Sequence, residues 1–400
     1  MIETALKIKE QYLSITTYDG PFYVMDSTLI ETRANEFKKS FSLFPNVRYF
    51  YSYKTNSVKD VTTKLKSLGF GAEVVSGDEL NCALADGHLG KDIFFDGPIK
   101  KENELRLAVE HGVTIQLDSF VEWEELKRLF PNKLKEIKLG LRLSHIYEKS
   151  QYSRFGFTTD EFNLIYDDIY QSGAVVSGVH LHVGSNLTHI ENYLIELDRY
   201  TDIIKKVVHG KTDGMPWIDL GGGFPALSNR EGKDLPDLTQ WCLRLLTHMT
   251  SRGLNPSTFT LVFEPGRSLV EDAGLLFCQV ATLKHRFSEN ILVLDSGLHQ
   301  VRSFHSWRHQ LLPLQHKSSG VEKVYKVYGA NCFESDLFHL GLPINDAKPG
   351  DWLVITNVGG YDIPSINPWT RRHPAIYFFE NSELKLSRPI SNELASRVNL

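Results

Sequence analysis

The chain has little cysteine: Cys82, Cys242, Cys278 and Cys332 are its four, scattered over 400 residues. Their spacing suits neither a disulfide framework nor a cysteine-based metal site, and a reducing, cytoplasmic setting is the expectation. Long apolar runs are also lacking. The stretch Met1 to Ser14 mixes Glu and Lys without the apolar segment of a secretory signal, and no later run is long enough to cross a bilayer. Positive charge is not in excess either. With 44 Lys and Arg against 49 Asp and Glu, the net charge of -5 argues against nucleic acid or an anionic membrane as partner. Low-complexity linkers and sequence repeats are missing. The remaining composition, 42% hydrophobic and 23% charged, is that of a soluble globular protein. A length of 400 residues exceeds one ordinary core, so two domains are expected.

What is present begins with Arg48-Tyr49-Phe50-Tyr51-Ser52-Tyr53-Lys54-Thr55-Asn56. This aromatic-rich run, without Gly or Pro, reads as a buried strand passing into a helix. Strand alternation puts Phe50, Ser52 and Lys54 on one face, and Tyr49, Tyr51 and Tyr53 on the other. The plain structural reading of Lys54 is a lysine snorkelling from a strand end. The chemical reading is an amine kept partly dry, with a lowered pKa, able to form a Schiff base with an aldehyde cofactor.

Seven further β-rich runs follow, at 72–76, 92–96, 114–118, 138–143, 179–183, 217–220 and 260–264, each ahead of a stretch with helical spacing or turn residues. Eight such units predict a (β/α)₈ barrel over 26–265, with chemistry at the C-terminal strand ends. An open doubly wound sheet is the rival. Beyond about 266 the helical spacing fades. Short β runs separated by turns predict a second, mainly antiparallel domain made of 266–400 and the N-terminal strand within 1–25.

Three clusters carry potential chemistry. Asp219-Leu220-Gly221-Gly222-Gly223 follows a strand, and its glycines allow backbone amides to converge on an anion, although glycine turns after strands are common. The last barrel run ends Glu264-Pro265-Gly266-Arg267, either an ion pair at a strand end or a carboxylate and an Arg clamp for phosphate. His180 and His182 share a strand face. No convergent carboxylate or Cys set is evident beside them, so no metal is expected. His180 reads as a satisfied core histidine. His182, ahead of Gly184-Ser185, reads as an imidazole packed on a planar ring.

Taken in order, Tyr53-Lys54-Thr55-Asn56, Val75-Ser76-Gly77-Asp78-Glu79-Leu80, His182-Val183-Gly184-Ser185, Gly221-Gly222-Gly223-Phe224-Pro225, Glu264-Pro265-Gly266-Arg267, Cys332 with Ser335-Asp336, and Gly359-Gly360-Tyr361 form a pattern. The chain resembles the fold-type III pyridoxal-phosphate decarboxylases, the group of diaminopimelate and ornithine decarboxylases, over nearly its whole length. The resemblance implies an alanine racemase-like architecture, pyridoxal 5'-phosphate as cofactor, and a carboxy-lyase acting on an α-amino acid. It implies Lys54 as the Schiff-base lysine, His182 stacked on the ring, and Glu264 paired with the pyridine nitrogen. It also implies a phosphate cup of Ser185, Gly222, Gly223, Gly266, Arg267 and Tyr361. Homodimers with shared sites are implied too. There Cys332 comes from the partner subunit as a proton donor, and Arg154 pairs across the interface with Asp336. A racemase on the same plan is an alternative reading.

The departures lie at the distal end of the substrate. The residue after the cysteine, acidic in the parent enzymes, is Phe333 here, with Glu334 one place later. Where an Arg-Pro followed by a Tyr is expected after Asp295-Ser296-Gly297, the chain has Arg302-Ser303-Phe304-His305-Ser306-Trp307-Arg308, shifted by one and without the Tyr. Substrate contacts are therefore expected from Arg302, Phe333, Glu334 and Asp336. The expected substrate is an amino-acid conjugate of a specialised pathway, such as a siderophore or antibiotic, with free diaminopimelate, ornithine, lysine or arginine as the alternative.

Overall fold

The structure is a computed structural model describing residues 1–17, 20–147, 151–212, 214–226, 235–314, 321–368 and 370–390. Eight short β segments, most of them buried throughout, close on themselves and leave no sheet edge unpaired. Val47–Ser52, Gly71–Val74, Ile93–Phe95, Thr114–Leu117, Leu139–Leu143, Val176–Leu181, Trp217–Asp219 and Thr260–Phe263 pair in parallel, in chain order, as a closed barrel. Closure runs through Leu261 opposite Val47 and Phe263 opposite Tyr49, which excludes the open sheet. Phe50, Phe94, Trp217 and Val262 fill the interior. The Phe50 and Phe94 rings stack at 4.1 Å. Gly140 and Gly178 make room for the Trp217 indole, with which a Cβ at either position would collide.

Caps explain why the strands are shorter than the sequence runs. Ser76 Oγ accepts from Glu79 N at 3.3 Å and starts the helix Gly77–Ala85. Ser119 does the same for Phe120–Leu129, and Thr158 with Glu161 forms a reciprocal box ahead of Thr159–Ser172. Polar residues counted as strand ends thus belong to the turns that satisfy helix N–H groups. The first strand is shortened differently. It stops at Ser52, and Tyr53–Thr55 form a 3₁₀ turn, so Lys54 stands on a turn and the expected alternation with Phe50 and Ser52 fails.

The described residues divide into two units, Glu31–Leu269 and Met1–Ile30 with Val270–Leu400. In the second unit, Phe22–Asp26 pairs antiparallel with Gly274–Arg286 and parallel with Ala375–Glu380. The helix Ile2–Ile15, for which the sequence reading assigned no element, buries Ala5, Ile8 and Tyr12 in that unit's core. Tyr12 stacks on Phe22 at 3.6 Å, and Phe22 on Phe277 at 4.7 Å. Removing a buried ring from such a stack costs about 3–5 kcal/mol. Strands Leu311–Pro313, Leu337–Asn345 and Glu383–Arg388 were also not anticipated. Gly341 and Pro343 interrupt the second of these and hide its β pattern.

Candidate active site

The site grows from the C-terminal ends of the barrel strands. Lys54 Nζ donates to both oxygens of Glu73, at 2.8 and 2.7 Å, and Ser52 Oγ donates to the same carboxylate at 2.5 Å. Glu73 is fully buried, whereas the Lys54 side chain keeps 38% of its exposure. The amine is therefore tethered yet accessible.

His182 Nδ1 accepts from Gly222 N at 3.2 Å, so the proton of the neutral ring sits on Nε2. Burial, and then the positive charges of Arg142 and Lys54, hold its pKa well below the usual imidazole range. Glu264, 2% exposed, follows the eighth strand directly. Burial, followed by Asp219, Glu73 and Asp96, pushes its carboxyl well above the usual range. It hydrogen-bonds with Asp219, while its Oε1 has no hydrogen-bond partner among the described residues. A carboxyl whose protonated form burial favours, with an acceptor unmatched among the described residues, lies under the barrel mouth.

The glycine run serves close approach. Gly221 and Gly223 have φ of 67° and 99°, and a Cβ on Gly222 would lie 2.7 Å from the Glu264 carbonyl oxygen. Tyr193 Oη donates to Gly222 O at 2.5 Å and Leu187 N to Gly223 O at 2.9 Å, which fixes the turn. At Gly266 a Cβ would meet the Thr55 hydroxyl. Arg267 is 7% exposed, and Ser185 is exposed.

Several contributors were passed over in the sequence. His180 is not the satisfied core histidine expected: its Nδ1 lies 3.6 Å from Asp96 and its Nε2 3.4 Å from Glu264, beyond good hydrogen-bond geometry. Burial pushes Asp96 up, but Arg142, at 3.5 Å, and His180 outweigh it and hold the carboxyl well below its usual range. The histidine pair does have a convergent carboxylate. Donor atoms of His180, His182 and Glu264 fall within 4.8 Å of one another, as do those of Glu73, Asp96 and Glu264, a spacing that a metal ion would accept. The available signal was a charged residue inside an apolar strand, as at Glu73, Arg142 and Asp219.

In the second unit, Cys332, Phe333 and Glu334 line a cavity of about 620 Å³ together with Lys284, Arg286 and Arg371. Arg302 is exposed and is not among its lining residues. The role expected for Asp336 needs correction. It is 1% exposed, and its carboxylate accepts from Leu298 N at 2.7 Å and Asn331 N at 2.8 Å. It clamps the loop of Cys332 from inside the fold, which does not leave it exposed for the substrate contact expected above. Tyr361 has φ 70° and its carbonyl accepts from Ser365 Oγ at 2.6 Å.

A barrel whose mouth joins a tethered lysine, a buried carboxyl with an unmatched oxygen, an imidazole held toward its neutral form and a glycine turn fits pyridoxal phosphate. Residues 27–271 match the family model described as pyridoxal-dependent decarboxylase, pyridoxal binding domain, and the chain belongs to that family. It is a carboxy-lyase of amino acids with pyridoxal 5'-phosphate as cofactor. The chain is 26% identical to diaminopimelate decarboxylase of Aquifex aeolicus, over 94% of this chain and 90% of that one. It is 28% identical to the Pseudomonas aeruginosa protein of the same name, over 86% and 83%. A solved diaminopimelate decarboxylase from M. jannaschii shares the fold, with a TM-score of 0.85 at 24% identity, over 96% of this chain and 92% of that one. Among the described residues no helix is long and apolar enough to cross a membrane.

Proposed function

We propose that the chain decarboxylates a free diamino acid, diaminopimelate being the first to assay. The observation that carries this is the cavity beside Cys332, in which an anion, Glu334, and a cation, Arg371, stand together. Phe333 displaces the acid by one position without removing it, so a substrate ammonium still has a partner there. The two relatives named diaminopimelate decarboxylase support the same reading. The conjugated substrate expected above rested on the loss of that acid and has no comparable support.

Pyridoxal 5'-phosphate, when bound, supplies an aldehyde for amines and a ring that accepts the electron pair left as carbon dioxide departs. We assign Lys54 to the aldehyde, with Glu73 aiming its amine. Glu264 would stand against the ring nitrogen, where its favoured proton and its unmatched oxygen could keep that nitrogen protonated. His182, kept neutral, covers a ring face without opposing that positive charge. Ser185, Gly222, Gly223, Gly266, Arg267 and Tyr361 are assigned to the phosphate. Cleavage of the bond from Cα to the carboxylate leaves an electron pair that a proton from Cys332 of a second subunit, or from Lys54, quenches at Cα. The protein is on this reading a homodimer with shared sites.

The test is the specificity constant for free diaminopimelate, ornithine and lysine. A value of about 10⁴ M⁻¹s⁻¹ or more for any one of them is expected. Uniformly poor turnover of all three, alongside good turnover of an acylated analogue, would restore the conjugate.

A further inference from the structure

One buried side chain of the barrel serves none of the steps above. In register, His180 stands opposite Arg142 on one neighbouring strand and opposite Asp219 on the other. Parallel pairing therefore sets a guanidinium, an imidazole and a carboxyl side by side on one face of the sheet. Asp96 and Glu264 follow the ends of two further strands, Ile93–Phe95 and Thr260–Phe263, and reach the same imidazole from its two sides. Asp96 Oδ1 is 3.6 Å from Nδ1, and Glu264 Oε2 is 3.4 Å from Nε2.

His180, Asp96 and Glu264 are all buried. Neither nitrogen of His180 has a hydrogen bond among the described residues, and both gaps exceed a good bond by only a few tenths of an ångström. A buried imidazole in that state gains from any small shift that closes a gap. The neighbours that frame it are better fixed. Asp219 Oδ1 accepts from Gly221 N at 2.7 Å, and Asp219 Oδ2 accepts from Gln116 Nε2 at 3.1 Å. Asp96 faces Arg142 at 3.5 Å, and the same guanidinium lies 3.7 Å from Asp118.

Glu264 divides its two oxygens. Oε2 faces His180, whereas Oε1 has no partner among the described residues. The last torsion of a glutamate is broad and two-fold, so the carboxyl exchanges its oxygens readily unless one of them is gripped. The oxygen left over is set by what holds the other.

We propose that His180 is the positioning residue of Glu264: by gripping Oε2 against the Asp96–Arg142 pair, it leaves Oε1 as the oxygen offered to the ring nitrogen of pyridoxal phosphate. This rests on the assignment of Glu264 to that nitrogen. His180 acts through the glutamate.

The test loads the protein with pyridoxal phosphate isotopically labelled at the ring nitrogen and reads the NMR shift of that nitrogen, which reports whether it carries a proton. Two amides separate the two sides of the imidazole, since asparagine reaches about as far as Nδ1 and glutamine about as far as Nε2. His180→Asn keeps a partner for Asp96 and loses the grip on Glu264. Its nitrogen shift should move toward that of an unprotonated pyridine, and its kcat should fall about tenfold at unchanged KM, the scale of losing an outer supporting hydrogen bond. His180→Gln should restore both toward wild type. His180→Leu removes both contacts and should behave as His180→Asn does; if it does not fold, the two amides still carry the comparison. An unmoved shift in His180→Asn, or equal movement in His180→Asn and His180→Gln, would overturn the role of His180 alone, provided that Glu264→Gln moves the shift. No movement in Glu264→Gln would remove the assignment of Glu264 to the ring nitrogen, and the proposal with it.

Discussion

Glu73 holds the Lys54 amine with both carboxylate oxygens, at 2.8 and 2.7 Å, from a fully buried position on the neighbouring strand. The carboxylate has no water to solvate it, so it needs the cation. The lysine, on a 3₁₀ turn with rotatable bonds to spare, needs a fixed partner to be aimed. Each supplies what the other lacks.

Lys54→Ala is therefore expected to lose both the near-visible absorption of bound cofactor and turnover, the latter by about a thousandfold or more. Glu73→Gln should keep the absorption but capture added cofactor more slowly, because an amide presents only one acceptor to the amine. A colourless wild type that stays colourless with added pyridoxal phosphate would remove the assignment of Lys54.

Glu264→Gln tests the acid end of the site. The amide occupies the same space but has no proton to give to a ring nitrogen. Cofactor should remain bound while kcat falls by about a hundredfold or more. Equal kcat in the variant would show that the ring is protonated by other means.

A third expectation concerns the second subunit. If Cys332 acts on the barrel of its partner, Lys54→Ala and Cys332→Ala are each poorly active alone. Mixed, they should recover activity up to about a quarter of wild type through random assortment of a two-fold dimer. Absence of recovery, with subunit exchange shown independently, would confine both residues to one chain's site.

Stability carries its own signal at Glu79. Burial pushes its carboxyl up to about 7, against the hydrogen bond it accepts from Val75 N at 2.9 Å. In the unfolded chain an ordinary Glu titrates near about 4.3. The native state thus binds the extra proton between these values. This contribution is fully present below the unfolded pKa and is lost as pH rises through about 7. Glu79→Gln removes that slope, so between pH 5 and pH 8 its melting temperature should rise relative to wild type by roughly a few degrees. Asp96, held low, gives the opposite slope at more acidic pH, but it does so in both proteins and cancels in the comparison. Parallel pH curves would refute the Glu79 assignment.

Much of the barrel was legible because its strands are short apolar runs, and the motif residues were legible because each sits where a strand ends. The residues that aim and charge the site were not. Glu73 and Lys54 are 19 positions apart, and nothing in either run announces that parallel pairing brings them together. Gln116 Nε2 donates to Asp219 at 3.1 Å across the barrel interior, a contact that only closure creates. Phe333 stands where an acid was expected, and Glu334, one position along, lines the same cavity, a placement the sequence alone does not reveal. Asp336 shows the reverse, since its motif suggested outward contact and its loop turns it inward.

The strand Phe22–Asp26 has a consequence for how the chain is made. One of its neighbours is Gly274–Arg286, and the other is Ala375–Glu380. All eight barrel strands lie between Val47 and Phe263, so the ribosome has delivered every one of them before either neighbour exists. Phe22, Tyr23, Val24 and Met25, all fully buried in the finished protein, must wait through most of synthesis with open hydrogen-bonding edges. Exposed apolar edges of this kind are where nascent chains aggregate. The first strand of this sequence is thus among the last to be covered.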